Sequence, residues 1–165
     1  MSLFSENFRD LEDLTRKYLK TRDRSSEEVR SFLFSKGISE ERIDKFLDDL
    51  RDRGIINERR LASNFVYSAL YSKKWGTKRI LREWKKYSGD QSLVEAELEK
   101  FEKSVFLDHC RELFGKWKQQ KMKTESAVGR LKNLGYSNSE IEKILRENKI
   151  EIDLGEEDYE DSSGN

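Results

Sequence analysis

The sequence predicts an all-α protein: three tandem repeats of three helices each, stacked as an elongated, curved array. Three observations carry this reading. Proline is absent from all 165 residues, while Leu, Glu, Lys and Arg are plentiful, so nothing opposes long helices. No alternating apolar run bounded by turn residues argues for a sheet. Third, a weak pattern is written three times. From Ser26, Thr77 and Thr124 an apolar residue follows at three positions (Val29, Ile80, Ala127) and a larger one at seven (Leu33, Trp84, Leu131). A capping-type residue comes at thirteen (Ser39, Asp90, Ser137), then Ile43, Val94 and Ile141, and last Leu47, Leu98 and Leu145. The starts lie 51 and 47 residues apart. Self-similarity at this period signals stacked helical units, none able to bury its apolar face alone.

The first repeat, residues 1–54, opens with Leu11, Leu14, Tyr18 and Leu19 at helical spacing. Ser25 and Glu28 have capping-box spacing, and Val29, Phe32 and Leu33 form the stripe of the next helix. Lys36-Gly37 ends it, because glycine accepts the left-handed conformation after a helix. Ser39 then starts a helix carrying Ile43, Phe46, Leu47 and Leu50, closed near Gly54. In the second repeat, 55–104, the stripes are Leu61, Phe65, Val66 and Ala69, then Ile80, Leu81 and Trp84, then Val94, Leu98 and Phe101. In the third, 105–150, they are Phe106, Cys110, Leu113, Phe114 and Trp117, then Ala127 and Leu131, then Ile141, Ile144 and Leu145. Its turn Asn133–Ser137 parallels Ser35–Ser39. Residues 151–165 are acidic and poor in core residues, and are expected to be a disordered tail.

Charged residues make up 40% of the chain and hydrophobic ones 35%, a polar balance that slender helical stacks tolerate because much of each helix stays solvated. The net charge of zero conceals an asymmetry. All 33 Lys and Arg lie before Glu151, whereas seven of the 33 acidic residues lie from Glu151 onward. A modestly basic body with an acidic tail points to a polyanionic partner, or to a tail that folds back on a basic surface. Glu6, Arg9 and Asp10 interrupt any signal-like run near Met1, and no stretch approaches the roughly 18 apolar residues of a membrane span. The single Cys110 can form no internal disulfide. A cytoplasmic, monomeric protein is expected.

The segment Lys73–Lys86 is the strongest functional candidate, with seven basic residues and one acid. On a helix continuing to Lys86, residues Lys78, Arg79, Arg82, Lys85 and Lys86 fall within an arc of about 120°, opposite Ile80, Leu81 and Trp84. Lys74 and Trp75 precede this stripe, and Lys116, Lys118, Lys121 and Lys123 add positive charge with no acid between them. Such faces suit phosphate backbones or acidic protein grooves; the plain alternative is a solvated helix face. Trp75 is either a stacking group or a packing one.

Enzymatic chemistry is not predicted. There is no phosphate-cradling glycine loop followed by Lys-Ser or Lys-Thr. His109 is the only histidine, and its neighbour Cys110 points about 100° away on a helix, unsuited to a catalytic pair. One His and one Cys do not make a zinc site, and no cofactor is implied.

Residues 54–84, from Gly-Ile-Ile-Asn-Glu-Arg-Arg-Leu-Ala-Ser-Asn-Phe-Val to Trp-Gly-Thr-Lys-Arg-Ile-Leu-Arg-Glu-Trp, resemble the signature region of the RecX regulatory proteins. The segments Ser25–Leu50 and Leu134–Leu145 look like that family's flanking repeats, so the resemblance covers about residues 10–148. Glu58, Arg60, Ala62 and Phe65 match the acid–x–Arg–aromatic–Ala pattern and the Phe-Val after it, with Leu61 in place of the aromatic and Asn57 where an acid is common. Trp75, Gly76, Arg79 and Ile80 match aromatic–Gly–Pro–x–Arg–Ile, with Thr77 for proline and one extra residue before Trp75. Ala69 stands where many relatives carry Arg. The resemblance implies three tandem three-helix units that bind the RecA filament on DNA along its helical groove and restrain its ATPase, strand-exchange and co-protease functions. It leaves open which motif residues make contact and which are structural. The alternative reading is a free-standing nucleic-acid-binding helical protein without a recombinase partner. The acidic tail is either a competitor for the basic face or a solubility device.

Overall fold

The computed structural model describes residues 7–156. Among them every regular element is a helix, with no strand: α1 (Arg9–Thr21), α2 (Ser26–Ser35), α3 (Glu40–Asp52), α4 (Glu58–Tyr67), α5 (Thr77–Trp84), α6 (Gln91–Leu98), α7 (Lys103–Gln119), α8 (Thr124–Asn133) and α9 (Asn138–Glu147). A five-residue π-helical turn, Ser68–Ser72, follows α4.

Local chemistry sets the helix ends. Ser25 Oγ accepts from the Glu28 N–H at 3.1 Å, and the Glu28 carboxylate accepts from the Ser25 N–H at 2.9 Å, closing the expected capping box. Ser137 and Glu140 repeat it at the start of α9. At the other end, Gly37 adopts φ +80°, so that Gly37 and Ile38 donate to the carbonyls of Phe34 and Leu33. Gly135, at φ +93°, ends α8 in the same way.

The chain packs as two compact units. One takes the residues up to Phe65 together with Glu83–Glu97; the other takes Val66–Arg82 and the residues from Leu98 onward. The middle helices α4–α6, expected to form a repeat of their own, contribute residues to both.

In the first unit α2 lies along α3. Leu11, Val29, Leu33, Ile43, Phe46, Leu47, Leu50 and Ile56 form its core, rimmed by Phe8, Tyr18, Leu19, Phe32 and Ile38. Each such aliphatic side chain contributes about 1.5–3 kcal/mol by leaving water. Trp84 is fully buried and its indole Nε1–H donates to the Asp90 carbonyl at 2.9 Å, so this large ring leaves no polar atom unpaired.

In the second unit α7, α8 and α9 pack on one another around Cys110, Phe114, Ala127, Val128, Leu131, Tyr136, Ile141, Ile144 and Leu145. Ile150, Ile152 and Leu154 join this core. Residues 151–156, expected to be disordered, therefore include an ordered strip: apolar residues at every second position put one side on the core and leave Glu151 exposed. Lys132 Nζ donates to the Leu154 carbonyl, and Asn138 Nδ2 to the Gly155 carbonyl at 3.2 Å. The rest of the expected tail, 157–165, lies outside the described residues.

The π turn leads into the segment before Trp75. Lys73 N–H reaches back five residues to the Ser68 carbonyl at 3.2 Å, and Trp75 N–H reaches the Ala69 carbonyl at 2.9 Å.

Candidate functional site

The basic segment does not form one uninterrupted stripe. Helix α5 ends at Trp84, so Lys85 and Lys86 lie in the turn beyond it and not on the helical arc the sequence predicts. There they flank an open groove of the first unit lined also by Tyr18, Phe32 and Tyr87. Lys86 pairs with Glu83 at 2.5 Å. Lys78 and Arg82, one turn apart on α5, are both exposed.

Arg79 departs from the expected outward face. It is half-buried, its guanidinium lies over the Trp75 ring at 4.6 Å, and Nη1 donates to the Asn133 carbonyl at 3.3 Å. Lys73 Nζ approaches the same ring at 4.3 Å. Trp75 is thus a packed ring with cations against it, an arrangement worth about 0.5–2 kcal/mol. Arg79 thus ties the start of α5 to the end of α8.

That start is held by backbone. Gly76 N–H donates to the Leu134 carbonyl at 2.7 Å, and Lys78 N–H to the Gly135 carbonyl at 3.2 Å. A Cβ on Gly76 would stand 2.4 Å from the carbonyl carbon and oxygen of Gly135, and a Cβ on Gly135 would stand 2.3 Å from the Arg79 nitrogen. Two chain segments cross here with no room for a side chain on either. Tyr136, buried beside the crossing, donates its hydroxyl to the Lys74 carbonyl at 2.6 Å, and burial pushes the phenol upward. Ile80 is fully buried. Tyr136 lies in the Leu134–Leu145 segment, but spacing alone gives no sign that its hydroxyl tethers Lys74.

The other half of the motif sits in the first unit. The Glu58 carboxylate accepts from the Ser26 N–H at 2.9 Å, placing negative charge at the N-terminus of α2. Arg60 grips Asp23 with two bonds of 3.1 Å. Ala62 is fully buried, and Phe65 lies 5.3 Å from both Trp84 and Tyr87. Ala62 and Phe65 thus pack and Glu58 caps, while Arg60 stays exposed in its ion pair.

The remaining lysines are dispersed in role. Lys74, at φ +51°, pairs with Glu112, and the resulting hydrogen bond holds that carboxyl below its usual range. Lys118 Nζ donates to the Met122 carbonyl at 3.1 Å and to Thr124 Oγ at 3.0 Å, bracing the α7–α8 turn. Lys116 and Lys121 are exposed, and Lys121 takes the left-handed position after α7, at φ +61°, that glycine usually fills.

Cys110 lies in the core, where its stripe position puts it. Burial in that core pushes the Cys110 thiol up to about 12, so little thiolate is present at neutral pH. Burial, with Lys74 nearby, lowers the His109 pKa, and its ring meets Tyr71 edge-on at 6.0 Å. No cluster of metal-binding side chains occurs among the described residues, and no helix there is long and apolar enough to cross a membrane.

No family model matches the chain. It is similar to the regulatory protein RecX of Streptococcus gordonii (strain Challis) and to that of Streptococcus sanguinis (strain SK36), each 26% identical over 140 residues, 82% of this chain and 54% of theirs. In fold it resembles the crystal structure of RecX from Lactobacillus salivarius, with a TM-score of 0.74 and 21% identity over 86% of this chain and 96% of that one. These matches support the RecX family. A second crystal structure, of a regulatory protein RecX, gives a TM-score of 0.72 at 18% identity, covering 84% of this chain and 72% of the other. The chain spans about half the length of the curated RecX relatives it matches. The all-helical fold is that of the RecX structures.

Proposed function

We propose that this chain is a non-enzymatic regulator that docks on a RecA filament on DNA and restrains its ATPase, strand-exchange and co-protease activities. The observation that carries the reading is the pair of exposed cations on α5. Lys78 and Arg82 stand on a helix whose start is locked by the Gly76–Gly135 crossing, so they are presented without the ordering cost a mobile basic loop incurs. Lys85 and Lys86 in the first unit, and Lys116 and Lys121 at the end of α7 in the second, add exposed positive charge for acidic protein or phosphate.

RecA ATPase on single-stranded DNA, titrated with this protein at two salt concentrations, tests the proposal. The wild-type chain is expected to suppress turnover. The double variant K78E/R82E should need about tenfold more protein for the same suppression, with its helical circular dichroism unchanged. Equal suppression by the variant removes α5 from the interface. Tight, salt-steep binding to bare oligonucleotide with no effect on RecA turnover favours a free-standing nucleic-acid-binding protein instead.

A further inference from the structure

In the second unit the strip Ile150–Leu154 is held by its inner side and at its ends, and its main chain is unpaired between them. Ile150, Ile152 and Leu154 turn to the core. The Ile150 N–H donates to the Leu145 carbonyl at 2.9 Å, and the Leu154 carbonyl accepts from Lys132 Nζ. Among the described residues, none bonds to the main-chain N–H or carbonyl groups of Glu151, Ile152 and Asp153. Main-chain groups alternate in direction along such a strip, so those of Ile150, Ile152 and Leu154 share one edge and those of Glu151 and Asp153 the other. The first edge is engaged at both ends; the second is bare, a template for another strand. A groove of about 330 Å³ runs beside the strip and α9. Leu145, Ile150 and Ile152 line it with apolar surface, and Glu142, Glu151 and Asp153 with three carboxylates. Arg146 is the only cation among its described lining residues, and it pairs with Glu142 at 2.6 Å. Lys149 and Lys132 flank the strip at its two ends, outside that lining.

We propose that this edge and groove take up an extended basic segment of a partner protein, one that alternates Lys or Arg with apolar residues and adds as a strand beside Glu151 and Asp153. Main-chain bonds to that edge supply affinity, and the side chains supply the choice of segment. The outward cations of the added strand stand opposite Glu151 and Asp153, while its inward apolar residues rest on Leu145 and Ile152. Charge selects this occupant over others. Three carboxylates against one guanidinium repel an acidic segment, and a second copy of the strip would set Glu151 and Asp153 against their own equivalents. The site shares no residue with the cations of α5 and α7, so it stands apart from the function proposed above.

Titrating the isotope-labelled full-length chain with the peptide acetyl-Lys-Val-Lys-Val-Lys-amide tests the proposal. Amide signals of Glu151, Ile152 and Asp153 should shift to saturation, and the Glu151 and Asp153 N–H groups should gain protection from hydrogen exchange as they become bonded. Of two N-methylated peptides, one blocked at the lysines and one at the valines, only one should lose affinity, by about tenfold, because alternate N–H groups face the edge. Glu151→Gln combined with Asp153→Asn, which keeps an amide oxygen for the Gly155 N–H, should weaken binding about threefold at low salt and less at high salt. The acidic counterpart acetyl-Glu-Val-Glu-Val-Glu-amide should leave the signals in place. Unshifted signals at millimolar basic peptide overturn the proposal. So do equal shifts with the acidic peptide, and indifference to both methylations, which would mark loose ion pairing alone. Shifts that follow chain concentration without any peptide would put a second copy on the strip and overturn it as well.

Discussion

The two halves of the central motif are held by different physics. Glu58–Phe65, in the first unit, is fastened by side chains: a carboxylate on a helix N-terminus, an exposed Arg–Asp fork, and a phenyl ring among two other aromatics. Trp75–Ile80, in the second, is fastened by main chain against main chain, with glycine on both sides. Side-chain ties can be exchanged for others of similar shape, which is how Leu61 stands in for an aromatic and remains buried. A backbone crossing has no such substitutes.

This contrast orders the mutational effects. Gly76→Ala should be the most damaging, because the added carbon meets backbone atoms at 2.4–2.6 Å and displaces the bond to Leu134; a loss of about 3 kcal/mol or more is expected in urea unfolding. A loss below about 1 kcal/mol would show that the two segments can part freely. Glu58→Ala should cost about 1–2 kcal/mol, since it strips a charged acceptor from the first N–H of α2, and Glu58→Gln should recover part of that.

Acid should separate the halves as well. Burial alone would raise the Glu28 pKa, yet hydrogen bonds from Arg22 and the Ser25 N–H outweigh it and hold the carboxyl below its ordinary 4.5. The unfolded chain then takes up the proton first, so this stabilisation is complete above about pH 4.5 and is lost as pH falls further. Amide signals of Ser25 and Glu28 should shift in that window while those of Gly76 and Lys78, tied to carbonyls, stay put. The smallest effect belongs to Arg60→Ala, below about 1 kcal/mol, because both partners of its ion pair are more than a third exposed.

Much of the helical pattern was legible from spacing. The stripes that became the two cores, the Ser25–Glu28 box and the glycine stops at Gly37 and Gly54 all follow from local rules that act within a few residues. What spacing misjudged involved partners far along the chain. Arg79 reads as an outward cation until the Asn133 carbonyl draws it in, although Trp75, four residues earlier, was a visible signal for the stacking. Helix α5 stops at Trp84, whose carbonyl accepts from the Tyr87 and Ser88 N–H groups of the turn while its indole reaches Asp90, a partner six residues on. The alternation of Ile150, Ile152 and Leu154 was masked by the acidity around it. Nothing in the spacing marked the π turn at Ser68–Ser72.

The Gly76–Gly135 crossing also sets a timetable. The acceptors for Gly76 and Lys78 lie about sixty residues downstream, so during synthesis the N–H groups at the head of α5 must wait, hydrated, until α8 and its closing turn have left the ribosome. The first unit has no such wait for α1–α3, whose core is complete by Ile56. A nascent chain arrested before residue 134 should therefore already protect α2 and α3 from a protease, while the stretch around Trp75 is still cut.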